Sequence, residues 1–486
     1  MATTGCETSK LIRKSQIGGR VESTAGTAET LAAFDFKTRI YVGATAEYDA
    51  GREKRDLAKA SLSPAGSLEG KKSSTIGFRA EVNTPDAWNV ATTASLDVDT
   101  IDWQAGYTTQ IAFNGSPTLT GVSVGDYITM NYCTNAVNNG TFLIIAIGAA
   151  TVDIVNRNKS SATGDEATDS PGVGDIQSPF EYSWAFAASG CKIEGLSYIA
   201  VGAISGGPYQ HGETITGTTS SGTGRVVVPA KTGDSFIYFE VLTGKLQTTE
   251  TITGGTSGAT CTSSAGPLVN GFSVKPDSTC QEVATVEYQE DGYAWSLRSG
   301  MANFTGEWTA SMAGFLDWEF QGPRSTNGDK VLTPSVVRGL EDPPIMKTAD
   351  LAFDAASTNF KPVFSKVAFD MGNEVTLREN GNAADDTGYE TARITAREPK
   401  LTITLEHELA ATFDFFTKLD AGTKTAVEMH IGTSENKQFW FFADELEFQA
   451  LPVGDADGIR TLDLEAMCTG NLADADDEFQ MAFIGN

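Results

Sequence analysis

The sequence predicts a mainly β protein: two similar β units, each with one flanking α-helix, and two small β-modules set into the first unit. Three observations carry this. Apolar and polar residues alternate over many short runs, which is the period of a half-buried strand. Gly is abundant, at 50 of 486 residues, and it clusters with Asn, Asp, Ser and Thr between those runs, where tight turns form. One order of elements also occurs twice. "KTRIYVGATAEYDAGREKRD", residues 37–56, is echoed by "KVAFDMGNEVTLREN", residues 366–380. In each, a basic residue opens an alternating run, a Gly follows, and a charged excursion leads to two further alternating strands. At this length two to four domains are expected.

Residues 1–30 read as an extended N-terminal arm. The first unit takes in 31–106, 171–199 and 269–322, with strands at 40–43, 76–82 and 94–103. The first insert, 107–170, has three strand-like runs, and Asn139-Gly140 signals a hairpin. A helix is predicted over 178–190, with Ser178 as N-cap, Pro179 in the first turn, Glu181 completing a capping box and Gly190 as the stop. The second insert, 200–268, repeats "ETITG" at 213–217 and 250–254, so it reads as two copies of one strand–turn–strand unit. Its Gly/Thr runs lack the Lys of a phosphate loop. Such hairpins bury little apolar area, so both inserts read as small, loosely attached modules. Asp291-Gly292 marks a hairpin within a long meander. Residues 323–358 read as a Pro-containing linker. The second unit, 359–486, has a helix with Leu409, Phe413 and Phe416 on one face, opened near His407 and ended by Gly422, then a meander with a turn at Asp457-Gly458.

The charge excludes one class of function. The formal net charge is -28, from 63 acids and 35 bases, and the acids are spread over both halves. A nucleic-acid binder needs a basic footprint to displace counterions from phosphate. The six cysteines show no CxxC or zinc spacing and read as small buried hydrophobes; Cys261 and Cys280 could form a loop disulfide only in a secreted protein. No export-type apolar stretch opens the sequence, and no run approaches membrane-spanning length, so a soluble chain without a conventional export signal is expected. His211, His407 and His430 lie in no metal-binding spacing. "DADGIRTLDLE" begins like a calcium loop at Asp455 but carries Arg460 where an oxygen ligand belongs. No catalytic motif is evident. No enzyme activity, cofactor or metal is expected.

The repeated order, together with "RVESTAGTAETLAA", "FSKVAFDMGNEVTLREN", "GYETARITAREPKLTITLE" and "DGIRTLDLEAM", resembles the tail tube proteins of tailed bacteriophages. "YITMNYCTNAVNNGTFLIIAIGAATVDIVN" is similar to a small β-module found within phage tail proteins. The resemblance implies β-sandwich or barrel-wedge units that join into rings around one continuous barrel. Stacked rings would form a hollow conduit for genome delivery. A chain with two such units would need three copies per ring, giving a pseudo-hexameric trimer. The partners implied are further copies of the chain and the tape-measure, tail-terminator and baseplate or distal-tail proteins. DNA would pass the acidic lumen without specific binding, and no membrane insertion is expected. The location implied is the virion tail, assembled in the host bacterial cytoplasm. The two charged excursions, 43–58 and 372–388, are the candidate ring-stacking loops, through Glu47, Asp49, Arg52, Glu53, Arg55, Asp56, Glu374, Arg378, Glu379, Asp385 and Asp386. The alternatives are a tube-tip or baseplate-hub protein, which would form lone rings, and a surface carbohydrate-binding or adhesion protein using Trp184, Trp295, Trp308 and Trp318.

Overall fold

The computed structural model describes the chain apart from residues 1–13, 54, 56–65, 84–95, 116, 118, 120–123, 125–126, 158, 160, 167–172, 178–181, 280, 337–341, 348, 355–358, 384, 435–436, 471–475 and 486. The protein is mainly β, with thirty strands and two short α-helices among the described residues. It opens with β1 (Ser15–Val21), β2 (Thr45–Asp49) and β3 (Ser73–Glu81). The chain then leaves for a closed barrel of β4 (Leu96–Ala105), β5 (Thr108–Phe113), β6 (Tyr127–Asn131), β7 (Gly140–Ile147), β8 (Thr151–Val155) and β9 (Val173–Gln177). Val98, Ile111, Ile128, Ile144 and Val152 fill it. β4 and β9 close the barrel, with Leu96 opposite Gly174, so it reaches beyond the 107–170 span expected. The β6–β7 link corrects another expectation. Asn139-Gly140 is not a two-residue turn: a 3-10 turn at Ala136–Asn138 precedes it, and Asn139 is extended at φ -89°. The Asn139 side chain instead accepts the Cys133 amide at 2.9 Å.

Helix α1 (Ser183–Ala188) is shorter than expected, and all six residues are buried. Its expected capping residues Ser178, Pro179 and Glu181 lie outside the described residues. Gly190, at φ 71°, turns the chain out of it. Next come β10 (Cys191–Ala200), β11 (Thr214–Gly217), β12 (Thr223–Val228), β13 (Phe236–Thr243), β14 (Thr251–Gly254), β15 (Thr260–Thr262) and β16 (Leu268–Pro276). The two "ETITG" copies lie antiparallel, with Ile215 opposite Gly254 and Gly217 opposite Ile252. Each glutamate caps the other copy's turn. Glu213 accepts from the Thr256 and Ser257 amides at 3.1 and 3.0 Å, and Glu250 from the Thr219 and Ser220 amides at 3.2 and 3.0 Å. This module is firmly anchored, contrary to expectation. β13 pairs with β10, and Val227, Val228 and Tyr238 share a core with Phe442, Ala482 and Ile484.

The meander follows as β17 (Ala284–Glu290), β18 (Tyr293–Thr309), β19 (Phe315–Pro323) and β20 (Gly328–Asp329). Asp291 and Gly292 turn at φ 34° and 93°, as expected for a hairpin. The second unit comprises β21 (Asp350–Phe353), β22 (Phe364–Asp370), β23 (Asn373–Glu379), β24 (Tyr389–Arg397), β25 (Lys400–Glu406), α2 (Phe415–Ala421), β26 (Thr425–Ser434), β27 (Lys437–Ala450), β28 (Val453–Ala456), β29 (Ile459–Cys468) and β30 (Gln480–Ile484). β21 falls within the expected linker but pairs with β26. Asp414 caps α2 by accepting the Thr417 amide at 3.0 Å, and Gly422 ends it at φ 60°. The expected apolar helix face is not present. Leu409 and Phe416 are exposed, whereas Phe413 and Phe415 enter the core against Phe353 and Phe360. Phe413 lies before the helix begins, in a turn that its amide closes onto Leu409 O at 3.2 Å, and His407 lies just beyond β25.

The strand order occurs twice. In the first unit it runs β1-β17-β18-β19-β3-β2. In the second it runs β21-β26-β27-β29-β25-β22. Every neighbouring pair is antiparallel. β28 continues the path of β27 beyond Pro452 and pairs with β29, as the end of β18 pairs with β19. The two units join where β22 runs along the end of β18, from Thr305 opposite Asp370 to Thr309 opposite Lys366. One sheet therefore runs β2-β3-β19-β18-β22-β25-β29-β28. Its inner face packs Phe78, Trp318, Phe320, Phe304, Trp308, Phe369, Ile403 and Leu464 into a single core with Trp184 and Phe186 of α1. Burying these aromatics supplies most of what orders the sheet, at roughly 25 cal/mol per Å² of apolar surface removed from water.

Candidate functional site

The opposite face of this eight-stranded sheet is polar and acidic. Side chains alternate along a strand, and directly paired residues share a face. Thr75, Gln321 and Glu47 therefore lie on the open face, and the pairing carries that face across to β28. It bears Glu47, Asp49 and Glu81; Glu307, Asp317 and Glu319; Asp370 and Glu406; and Asp463 and Glu465, continued by Glu447 of the adjoining β27. Against these eleven carboxylates stand three cations, Arg79, Lys366 and Lys400. Arg79 forms a bidentate pair with Asp317 at 2.8 Å, and Lys366 reaches Glu307 at 3.3 Å. Even with these pairs, the face keeps an excess of eight negative charges. Between the carboxylates lie hydroxyls such as Thr305, Thr402 and Thr404; Thr404 donates to Asp463 at 2.6 Å.

The sheet is open at both ends. Among the described residues, the outer sides of β2 and β28 pair with no strand. The duplication shows what such an edge looks like when covered. The Cys468 amide donates to Pro399 O at 2.9 Å, as the Arg324 amide donates to Lys72 O at 3.3 Å. This matches Ser73 to Lys400 and β2 to residues 366–370 of β22, since Asp49 faces Ser73 as Asp370 faces Lys400. Likewise Ala456 faces Ile459 as Glu307 faces Phe315, which matches residues 304–307 to 453–456. At the covered junction Phe304 and Phe369 are 1% and 2% exposed, with ring centroids 5.7 Å apart. Their counterparts, Val453 and Tyr48, are 51% and 39% exposed.

The expected ring-stacking residues fall in several places. Glu47 and Asp49 are not in a loop: they sit on β2, on the acidic face. Arg52, Glu53 and Arg55 follow on the excursion, where Glu53 pairs with Leu68. Lys54 and Asp56 lie outside the described residues. The second excursion is not a long loop either. Glu374, Arg378 and Glu379 belong to β23, which pairs with β24, and only the turn carries Asp385 and Asp386. The β23–β24 hairpin folds back onto the first unit. Val375, Leu377, Ala392 and Ile394 pack on Val283 and Met301. The turn and β23 carboxylates meet cations of the first unit: Glu379 with Lys71, Asp386 with Lys72, and Asp385 with Arg298. Lys72 holds the Asp386 carboxyl below its usual range. Burial alone would raise Asp385, but Thr387 and Arg298 outweigh it and hold that carboxyl low. Arg378 pairs within the hairpin, with Glu390 at 3.4 Å. The sequence signal for β23 was present in the alternation of Val375 and Leu377; the cations that receive its neighbours are more than fifty residues away and left no local trace.

Two cavities lie where the 200–268 insert meets the rest of the chain, of about 630 and 840 Å³. The larger is lined by Lys231, Tyr238, Asp350, Glu428, His430 and Trp440. Burial, reinforced by Asp350, pushes Glu428 up to about 7. Burial pushes His430 down to about 4. His430, Trp440, Phe442 and His211 form a stacked ladder, with end spacings of 4.0 and 3.9 Å. Trp184, Trp308 and Trp318 are buried. Among the described residues no group of three or more His, Cys, Asp or Glu could hold a metal ion, and no helix is long and apolar enough to cross a membrane. No family model matches the chain, and neither does any curated protein.

Proposed function

We propose that this chain is the structural protein of a phage tail tube, assembling into rings that stack as a hollow conduit for DNA. The observation that carries the reading is the eight-stranded sheet, apolar on one face, acidic on the other and unpaired at both edges. An unpaired edge beside exposed apolar side chains invites strand addition. β2 of one copy has the geometry to lie along β28 of the next, as β22 lies along β18 within the chain. Three copies then supply twenty-four strands, eight from each. At about 4.8 Å between strands and a tilt near 40°, such a barrel is roughly 50 Å across between backbones. The acidic face turned inward repels the phosphate backbone, so DNA slides without adhering. Stacking is head-to-tail and open-ended, which makes a filament from closed rings. Negative-stain microscopy of the purified chain tests this: hollow tubes with pseudo-six-fold rings are expected. Lone rings would favour a tube-tip protein, and dispersed monomers at high concentration, or six copies per ring, would overturn the proposal.

A further inference from the structure

The covered junction inside the chain carries a clamp. The excursion that leaves β22 returns as the β23–β24 hairpin and seats on the first unit, apolar residues on Val283 and Met301, carboxylates on Lys71, Lys72 and Arg298. The first unit has the same excursion, between β2 and β3. It too begins as an antiparallel pair, Glu53 with Leu68. Its charge is reversed: Arg52 and Arg55 are exposed and form no ion pair with another described residue. The place where it would seat is reversed as well. Lys71 precedes Lys72 as Glu398 precedes Pro399, and the carbonyls of Lys72 and Pro399 accept matching hydrogen bonds. Leu297 lies opposite Arg324 as Leu446 lies opposite Cys468, so Arg298 corresponds to Glu447. Two cations of the occupied seat are thus carboxylates in the other, where Glu398 is exposed and shares its charge with Lys400 of its own chain at 3.5 Å.

We propose that the first excursion seats in trans, with Arg52 and Arg55 of one copy on Glu398 and Glu447 of the adjacent copy in the same ring. This rests on the ring reading above and adds a contact to each seam between copies. Reversing the sign on both partners also blocks the wrong seating. Glu69 of the excursion pairs with Lys72 of that seat at 2.7 Å, but Arg52 and Arg55 are repelled by the basic seat of their own unit, and an acidic hairpin by the acidic seat of a neighbour, which is how a specific interface excludes its alternative. The partner is a second copy of this chain, and the contact lies within rings rather than between them.

A charge-swap series read by sedimentation velocity tests this. Arg52→Glu with Arg55→Glu should raise the concentration for half-assembly of rings on the order of tenfold or more, with the circular dichroism of the monomer unchanged. Glu398→Arg with Glu447→Arg should do the same, and all four changes together should restore assembly. Glu398→Gln with Glu447→Gln gives a milder version that adds no repulsion. Wild-type ring assembly in the first variant overturns the proposal, and so does a fourfold variant no better than either pair. Rings that form normally but fail to stack would place the contact between rings and also overturn it. In those cases the wild-type chain still forms rings and the tube reading stands. A wild-type chain that never forms rings sinks both.

Discussion

Val453→Asp separates the proposed seam between copies from the stability of the chain itself. Val453 is 51% exposed on β28, at the end of the sheet. In the free chain an aspartate there stays in water, so stability should change by less than about 0.5 kcal/mol. The seam is different. The matching residue at the covered junction, Phe304, is 1% exposed and touches Phe369. A carboxylate in that setting loses its water beside the ring of Tyr48, and Arg324, 4.5 Å from that ring's centroid, offsets only part of the loss, leaving a cost of about 1–3 kcal/mol. That weakens each seam by roughly five- to a hundredfold, and the proposed ring has as many seams as copies. Mass photometry across a dilution series reads the ring population directly, and thermal melting of the monomer checks the fold. Val331→Asp, at a position 84% exposed and away from both edges, serves as the matched control. Rings of Val453→Asp at the wild-type concentration, with an unchanged melt, would refute the seam.

Glu428 ties stability to pH. Its carboxyl is raised from 4.5 to about 7 in the fold, so the folded chain holds a proton that the unfolded chain releases. The stabilisation is present below about pH 4.5 and is lost as pH rises through 7. Asp350, Lys361, Asp444 and Lys231 surround the group, and Glu428→Gln should flatten the decline in denaturation midpoint between pH 5 and 9, recovering up to roughly 3 kcal/mol at the alkaline end. Glu250→Gln should loosen the repeat module, since four donors from one turn and its neighbours converge on that carboxylate; amide hydrogen exchange at Ser220 should rise. Because bonding keeps the carboxyl of Glu250 low against its burial, the same exchange should rise in the wild type only as pH falls below the usual carboxylate range. Deleting residues 202–266 should give an insoluble chain rather than a thinner assembly, because it strips β13 from β10 and uncovers Leu196, Phe442, Ala482 and Ile484; a soluble deletion with a wild-type melt would show that the module is dispensable.

Short-range rules were legible in the sequence. Asp291-Gly292 and Asp457-Gly458 turn where expected, because both positions need positive φ and few residues tolerate it. Gly422 stops α2 for the same reason. Features decided by distant partners were less legible. Phe413 reads as part of a helix face with Leu409 and Phe416, but in the fold it joins Phe415 against Phe353 and Phe360, which no local pattern announces. β23 looks like a charged loop because its apolar residues, Val375 and Leu377, alternate with carboxylates and an arginine and meet their cover only in the other unit. The acidic face was visible as a net charge and nothing more; its coherence comes from eight strands pairing in a register that no single strand encodes. The repeated "ETITG" was readable as a duplication, but the exchange of caps between Glu213 and Glu250 was not, since it depends on the copies lying antiparallel.

The junction of β18 with β22 has a kinetic meaning as well. Residues 310–363 join the two strands, so each meets the other at an effective concentration in roughly the millimolar range, whatever the dilution of the chain. Separate units would lose translational and rotational freedom at every seam of a closed ring. In the ring proposed above, alternate seams would form during folding, at no association cost. Assembly from dilute solution then depends only on the remaining seams, and a partial ring loses whole chains rather than single units. In that ring a fused pair of wedges lowers the number of bodies that must meet from six to three, and fixes the order in which like and unlike junctions alternate around the circle.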